Sequence, residues 1–289
     1  MLNFNDKIIV IDPKSTQCIY LCSMRLVQKS LLVLFFCFLF IRLSAGNDFC
    51  GISNLCFSAG EVVKFKIFYN VIGLYVDAGN ASFTVENTKL NNKPVYHVTG
   101  LGTSNPSYDW IFKVRDKYET FIDTATLKPY KFLRHVEEGK YRKNEAVLFN
   151  HADRKAVSTR GTFPINECMQ DVLSSIYYAR NIDFSKYKIG DKIPFSMFLD
   201  DESHSLYIRY AGKEVIKTRY GKFNAIKFKP MLVKGTIFEG GELMSVWVSD
   251  DPNHIPLRIE SPISVGSVKV DMMGYRNLRY PLQSMIETR

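Results

Sequence analysis

Nowhere in the 289-residue chain do the roughly 20 apolar residues of a transmembrane helix run together. Its five histidines (His97, His135, His151, His204, His254) stand apart from one another and from the cysteines, so no short His/Cys spacing of a metal site occurs. No Gly-x-Ser-x-Gly elbow, phosphate-cradling glycine loop or dinucleotide fingerprint is present. Also missing are a basic run of five to eight residues, a fixed-period repeat, a heptad run and a low-complexity tract. These absences argue against a resident metal or cofactor, against nucleic-acid binding and against the commonest hydrolase and nucleotide-binding architectures.

What is present first is an export signal. Arg25 and Lys29 precede an apolar run from Leu31 to Ile41, and Ser44, Ala45 and Gly46 follow, the three-part layout of a cleavable secretory peptide. The alternative is an uncleaved anchor, since Arg42 lies close to the proposed cut near Ala45 to Gly46. Met24 is read as the initiator, with residues 1–23 an upstream extension, residues 24–46 the signal and residues 47–58 an N-terminal segment. Asn47-Asp48-Phe49 before Cys50 is not the small aliphatic sequence that precedes a lipid-modified cysteine. The expected compartment is the periplasm or outer cell envelope.

Of the 38 Lys+Arg and 29 Asp+Glu, five cations (Lys7, Lys14, Arg25, Lys29, Arg42) and two acids (Asp6, Asp12) fall within residues 1–46, leaving an excess of six positive charges. The cations are scattered along the chain. They suit a sign-mixed surface or an anionic partner such as a lipid headgroup or an acidic glycan. Of the six cysteines, Cys50, Cys56 and Cys168 follow the signal. In an oxidising compartment Cys50 and Cys56 can close a small loop; the alternatives are either of them with Cys168, or three free thiols.

Strand periodicity dominates from Glu61 onward. In Val63 to Tyr69 the odd positions are apolar and both lysines even, as in a sheet with one wet face. The period recurs at Ala81–Val85, Leu206–Tyr210, Ile226–Lys229 and Val268–Met272. Turn residues are read at Asp77-Ala78-Gly79, Asn91-Asn92-Lys93-Pro94, Glu137-Glu138-Gly139, Ala211-Gly212-Lys213, Gly240-Gly241 and Asp250-Asp251-Pro252-Asn253. The pattern predicts a mainly β fold, an antiparallel curled sheet or β-barrel over residues 59–289, with a possible lobe seam at residues 183–194. One amphipathic helix is predicted over 167–180, its apolar face formed by Cys168, Val172, Leu173, Ile176 and Tyr177, with Asn166 as N-cap. Such a helix either covers a sheet edge or lids a cavity.

Paired carboxylates at Asp200-Asp201-Glu202 and Asp250-Asp251 have the chemistry of glycoside hydrolysis. The second pair, however, has the composition of a turn whose side chains bond their own backbone. Aromatic side chains are the better lead. Tyr108, Trp110, Phe112, Tyr177 and Trp247 are the candidate ligand-binding residues, with ordinary core as the competing assignment.

Gly60-Glu61-Val62-Val63-Lys64-Phe65, Thr126-Leu127-Lys128-Pro129 with Arg134 and Glu138-Gly139-Lys140-Tyr141, Asp171-Val172-Leu173-Ser174-Ser175 with Tyr177-Tyr178-Ala179-Arg180, and Val246 to Asp251 with Ile255-Pro256 and Gly266 to Lys269 follow one another in order. Together, across roughly Ala59 to Leu278, they resemble the exported bacterial domain-of-unknown-function family numbered 3108. That resemblance implies an envelope protein of antiparallel β-structure and brings no catalytic residues or ligand. The expectation is therefore a non-catalytic, monomeric envelope protein that binds a lipid, a glycan or an envelope partner. Its rivals are an envelope hydrolase using Asp250, Asp251 or His254, and an assembly protein with a solid core.

Overall fold

The computed structural model describes residues 50–71, 73–233, 240–263 and 266–288. The proposed upstream extension, signal peptide and cleavage site lie outside the described residues. The alternating segments become strands β1 (Val62–Val71), β2 (Leu74–Leu90), β3 (Lys93–Ser104), β4 (Arg115–Asp123), β5 (Pro129–Glu138), β6 (Tyr141–Asn150), β7 (Lys155–Ser158) and β8 (Gly161–Pro164). After helix α1 (Val172–Ala179) come β9 (Lys192–Leu199), β10 (Glu202–Lys217), β11 (Gly221–Pro230), β12 (Ser245–Ser249), β13 (Pro256–Pro262), β14 (Ser267–Arg276) and β15 (Met285–Thr288). They form one antiparallel sheet in the order β8-β7-β6-β5-β4-β3-β2-β1-β14-β13-β12-β11-β10-β9, with β15 added against β11. The sheet is curled and not closed.

Two of the predicted turns are bulges inside long strands. At Asp77-Ala78-Gly79 the register of β2 against β1 slips, and at Ala211-Gly212 that of β10 against β11 does the same. An extra residue bends a strand and sharpens its twist, which strands of 17 and 16 residues need if they are to follow a curled sheet. Gly79 is required because a Cβ there would lie 2.2 Å from the Thr103 carbonyl oxygen, and Gly212 because its φ is +97°. Asn91 and Asn92, both in the left-handed region, do make the tight β2–β3 turn that Asn tolerates.

The curl brings the two edge strands, β8 and β9, towards each other, and the chain between them fastens them. Gln170 bridges to Met197 in parallel, Asn166 Nδ2 donates to Ser196 Oγ (3.1 Å) and Ser203 Oγ to the Pro164 carbonyl (3.1 Å). Asp200, in the β9–β10 turn, pairs with Arg134 of β5 and Lys143 of β6. An edge that would otherwise template aggregation is thereby covered.

The helix is shorter than predicted and starts later. Its N-cap is Asp171, not Asn166: the Asp171 carboxylate accepts from the Leu173 and Ser174 amides (2.8 and 2.7 Å), and Ser174 Oγ accepts from the Asp171 amide. This capping box ends the non-helical stretch that carries Gln170 to β9. Burial pushes the Asp171 carboxyl up to about 6 against those bonds and a further one from Thr120 Oγ1.

Cys50 is bonded to Cys168 (Cα–Cα 5.4 Å), which corrects the Cys50–Cys56 pairing. The non-helical turn before α1 presents Cys168 to the N-terminal segment, while Cys56 is buried with its thiol donating to the Arg180 carbonyl (2.9 Å). Residues 47–289 form one compact unit. Within it, residues 183–194 run from α1 into β9 of the same sheet, and Phe184 packs on Tyr210 and Phe228 (5.7 Å each). The largest core lies under α1, where Leu173, Tyr177 and Tyr178 meet Phe57, Val98, Ile193 and Ile226.

Candidate functional site

The five aromatic candidates do not gather around one cavity. Tyr108, Trp110 and Phe112 lie in the β3–β4 loop and are solvent-facing, Trp110 being 82% exposed. The loop is held from beneath: Asp109 pairs with Arg115 (2.5 Å) and accepts from Ser104, and these contacts, the Arg115 bond first, hold its carboxyl below the usual carboxylate range. Tyr177 is buried, edge-on to Phe57 (4.8 Å) and Phe83 (6.4 Å). Trp247 is buried in a second core, its indole N–H donating to Glu214 (2.5 Å) under the Lys227 ammonium.

The acid–base candidates are occupied structurally. Asp250 pairs with Lys213 (2.8 Å). Asp251 caps its own turn, accepting from Ser249 Oγ and the Asn253 amide (3.0 Å each) and from the Ser284 amide (3.1 Å). His254 Nδ1 donates to the Arg180 carbonyl (2.6 Å), and burial lowers its pKa. The same carbonyl accepts from Cys56, whose thiol burial pushes up to about 11, away from a nucleophilic thiolate. Among the described residues no group of three or more His, Cys, Asp or Glu is placed to hold a metal.

What the sheet offers instead is a groove of about 440 Å³ across β14, β1, β2 and β3. Register builds it: Lys64, Ser82 and Leu101 are cross-strand partners, as are Lys66, Asn80 and Thr103. Met273 extends the apolar lining, the Phe65 strand position forms part of the floor with its ring turned into the core, and Lys66 is tied to Asp77 (2.7 Å) while Lys64 is exposed. Gly274 lies opposite Lys64, and a Cβ there would meet nothing within 4 Å.

A second, smaller cavity of about 200 Å³ opens beside it, between β1, β2, β13, β14 and the β10–β11 turn. Phe68, two residues from Lys66 on the same side of β1, lines it with Tyr75, Lys217, Thr218, Arg219, Arg258, Lys269 and Asp271. Arg219 lies over the Phe68 ring (4.1 Å) and Lys269 over Tyr75 (5.4 Å). Alternation placed Lys64, Phe65, Lys66, Phe68, Ala81, Ser82, Lys269 and Asp271 on strands, but no sequence signal marked any of the lining residues as a site. They are brought together by the non-local pairing of β1 with β14, which local periodicity does not encode.

The model of the family described as "Protein of unknown function (DUF3108)" matches residues 64–273. No curated protein matches the chain. Among solved structures it is similar to a β-barrel-like protein of a domain of unknown function, DUF1849, from Brucella abortus: TM-score 0.51, 8% identity, covering 78% of this chain and 99% of that one. It also matches a protein described as a lipoprotein from Parabacteroides distasonis (TM-score 0.34, 14% identity). A third match is a protein described as exported, with a YmcC-like fold, from Bacteroides fragilis (TM-score 0.31, 12% identity). Each of the last two covers 78% of this chain and 99% of its own. The first of these likenesses shows a β-barrel-like fold.

Proposed function

The chain belongs to the DUF3108 family, and from that premise we propose that it is an exported, non-catalytic envelope protein that binds an amphiphilic molecule on the outer face of β14-β1-β2-β3. The observation that carries this is the groove itself: about 440 Å³, within the range of small-molecule sites, apolar along Leu101 and Met273, with hydroxyl, amide and ammonium groups at fixed strand positions. A lipid or lipid-like glycan conjugate has that division of chemistry. The hydrolase reading loses support because Asp250 is paired with Lys213, Asp251 caps its own turn and His254 donates to the Arg180 carbonyl.

The test crowds the groove from beside Lys64, the cross-strand partner of Gly274. Gly274→Trp adds a large side chain where a Cβ meets nothing and leaves the β14 backbone unstrained. With 1-anilinonaphthalene-8-sulfonate as an anionic, apolar probe, the substitution is expected to weaken fluorescence-detected binding at least tenfold while unfolding stays within about 0.5 kcal/mol, as for other surface changes. Undiminished probe binding would place the ligand elsewhere. Native mass spectrometry of protein taken gently from a bacterial envelope then identifies what the groove carries.

A further inference from the structure

We infer that the 200 Å³ cavity beside the groove is a subsite for a phosphoryl-type oxyanion. Four cations (Lys217, Arg219, Arg258, Lys269) line it with one carboxylate, Asp271. Asp271 is fully engaged by Arg258, through Nε (2.7 Å) and Nη2 (3.0 Å). Glu260, just outside the lining, stands 3.6 Å from Lys269 and 3.7 Å from Arg258. Even with Glu260 counted, cations outnumber carboxylates four to two. Lys217 and Arg219 make no ion pair among the described residues.

A cleft of one sign with low-dielectric walls concentrates counter-ions, and here the walls are the rings of Phe68 and Tyr75. Its volume is that of on the order of six water molecules in the liquid, which accommodates an oxyanion head. A phosphoryl group, carrying up to two negative charges and three acceptor oxygens, uses several cations at once, and arginine suits it by its planar fork.

The cations are also preorganised. Thr218, between Lys217 and Arg219, closes the β10–β11 turn: its amide donates to the Gly221 carbonyl (2.8 Å), and its Oγ1 accepts from the Tyr220 and Gly221 amides (3.1 and 3.2 Å). Arg219 is further fixed by the Phe68 ring beneath it.

This subsite deepens the amphiphile reading and rests on it only for the source of the phosphoryl group. The same chemistry is offered by a lipid headgroup and by free phosphate, so both are used as probes: dihexanoyl phosphatidic acid below its micellar concentration, and inorganic phosphate. Binding to the whole protein is measured by calorimetry for wild type, Lys217→Ala/Arg219→Ala and the charge reversal Arg219→Glu, whose exposed positions keep the fold. Phosphatidic acid bound at least tenfold more tightly than phosphate, with at least tenfold loss of both in the variants, supports the subsite and assigns it to a lipid head. Equal affinity for the two probes, still lost in the variants, supports the subsite and defeats the amphiphile reading of the groove. Lipid binding that the variants leave unchanged overturns the subsite while the groove stands, and no binding of either probe overturns it outright.

Discussion

Replacing Arg180 with methionine is expected to lower the unfolding free energy by about 3–5 kcal/mol, read from urea titration, and the melting temperature by on the order of 10 °C. The guanidinium and the Glu61 carboxylate face each other through two bonds (2.5 and 2.8 Å) with side chains 2% and 0% exposed. Burial alone would lower the Arg180 pKa, but the Glu61 carboxylate outweighs it and the net direction is upward. Nε and Nη2 also donate to the Asn253 carbonyl (3.1 and 3.0 Å), and the rings of Tyr177 and Phe57 flank the cation (5.1 and 5.5 Å). One residue therefore ties the N-terminal segment, the end of α1 and the β12–β13 turn together. Removing it strands a buried carboxylate, which costs more than the pair contributes over an apolar replacement. The double variant Arg180→Met/Glu61→Leu should recover most of the loss. A single variant that loses less than about 1 kcal/mol would show that water reaches Glu61 and that the pair is not a fastening.

Truncating Tyr177 to alanine is expected to cost about 3–5 kcal/mol, the range for emptying an aromatic site in a core that collapses only partly. The ring fills the space between Phe57, Phe83 and the Arg180 guanidinium and is 1% exposed. Tyr177→Phe keeps that volume and should cost far less. Trp110→Ala, at 82% exposure, should stay within about 0.5 kcal/mol. Chemical denaturation of the three variants separates the roles. Equal losses for Tyr177→Ala and Trp110→Ala would contradict the division between core and rim.

That division marks where the sequence stops being legible. Alternation identified β1, β10, β11 and β14 because strand period is a local property, and Asp250 to Asn253 read correctly as a turn because Asp and Asn bond their own backbone. Ala211-Gly212-Lys213 misled because glycine punctuates bulges as readily as turns, and only the partner strand tells which. The helix start misled for a related reason: Cys168 fits the predicted helical face but is claimed by a disulfide, and its neighbour Met169 packs in a separate core with Phe198. Tyr177 and Trp110 have similar side chains, and which of them meets solvent depends on the sheet closing over α1. The groove needed still more, since Lys64, Leu101 and Gly274 become neighbours only through strand pairings across most of the chain.

The link from Cys50 to Cys168 encloses β1 to β8 in one covalent ring, and the solvent-facing segment of Trp110, Ile111 and Phe112 lies inside it. A proteolytic cut in that segment adds a water without releasing a fragment. The nicked molecule migrates as a single species until a reductant is added. A cut between β11 and β12, outside the ring, leaves two pieces with only non-covalent contacts between them. The most exposed aromatic segment among the described residues thus lies where backbone damage is least dispersive.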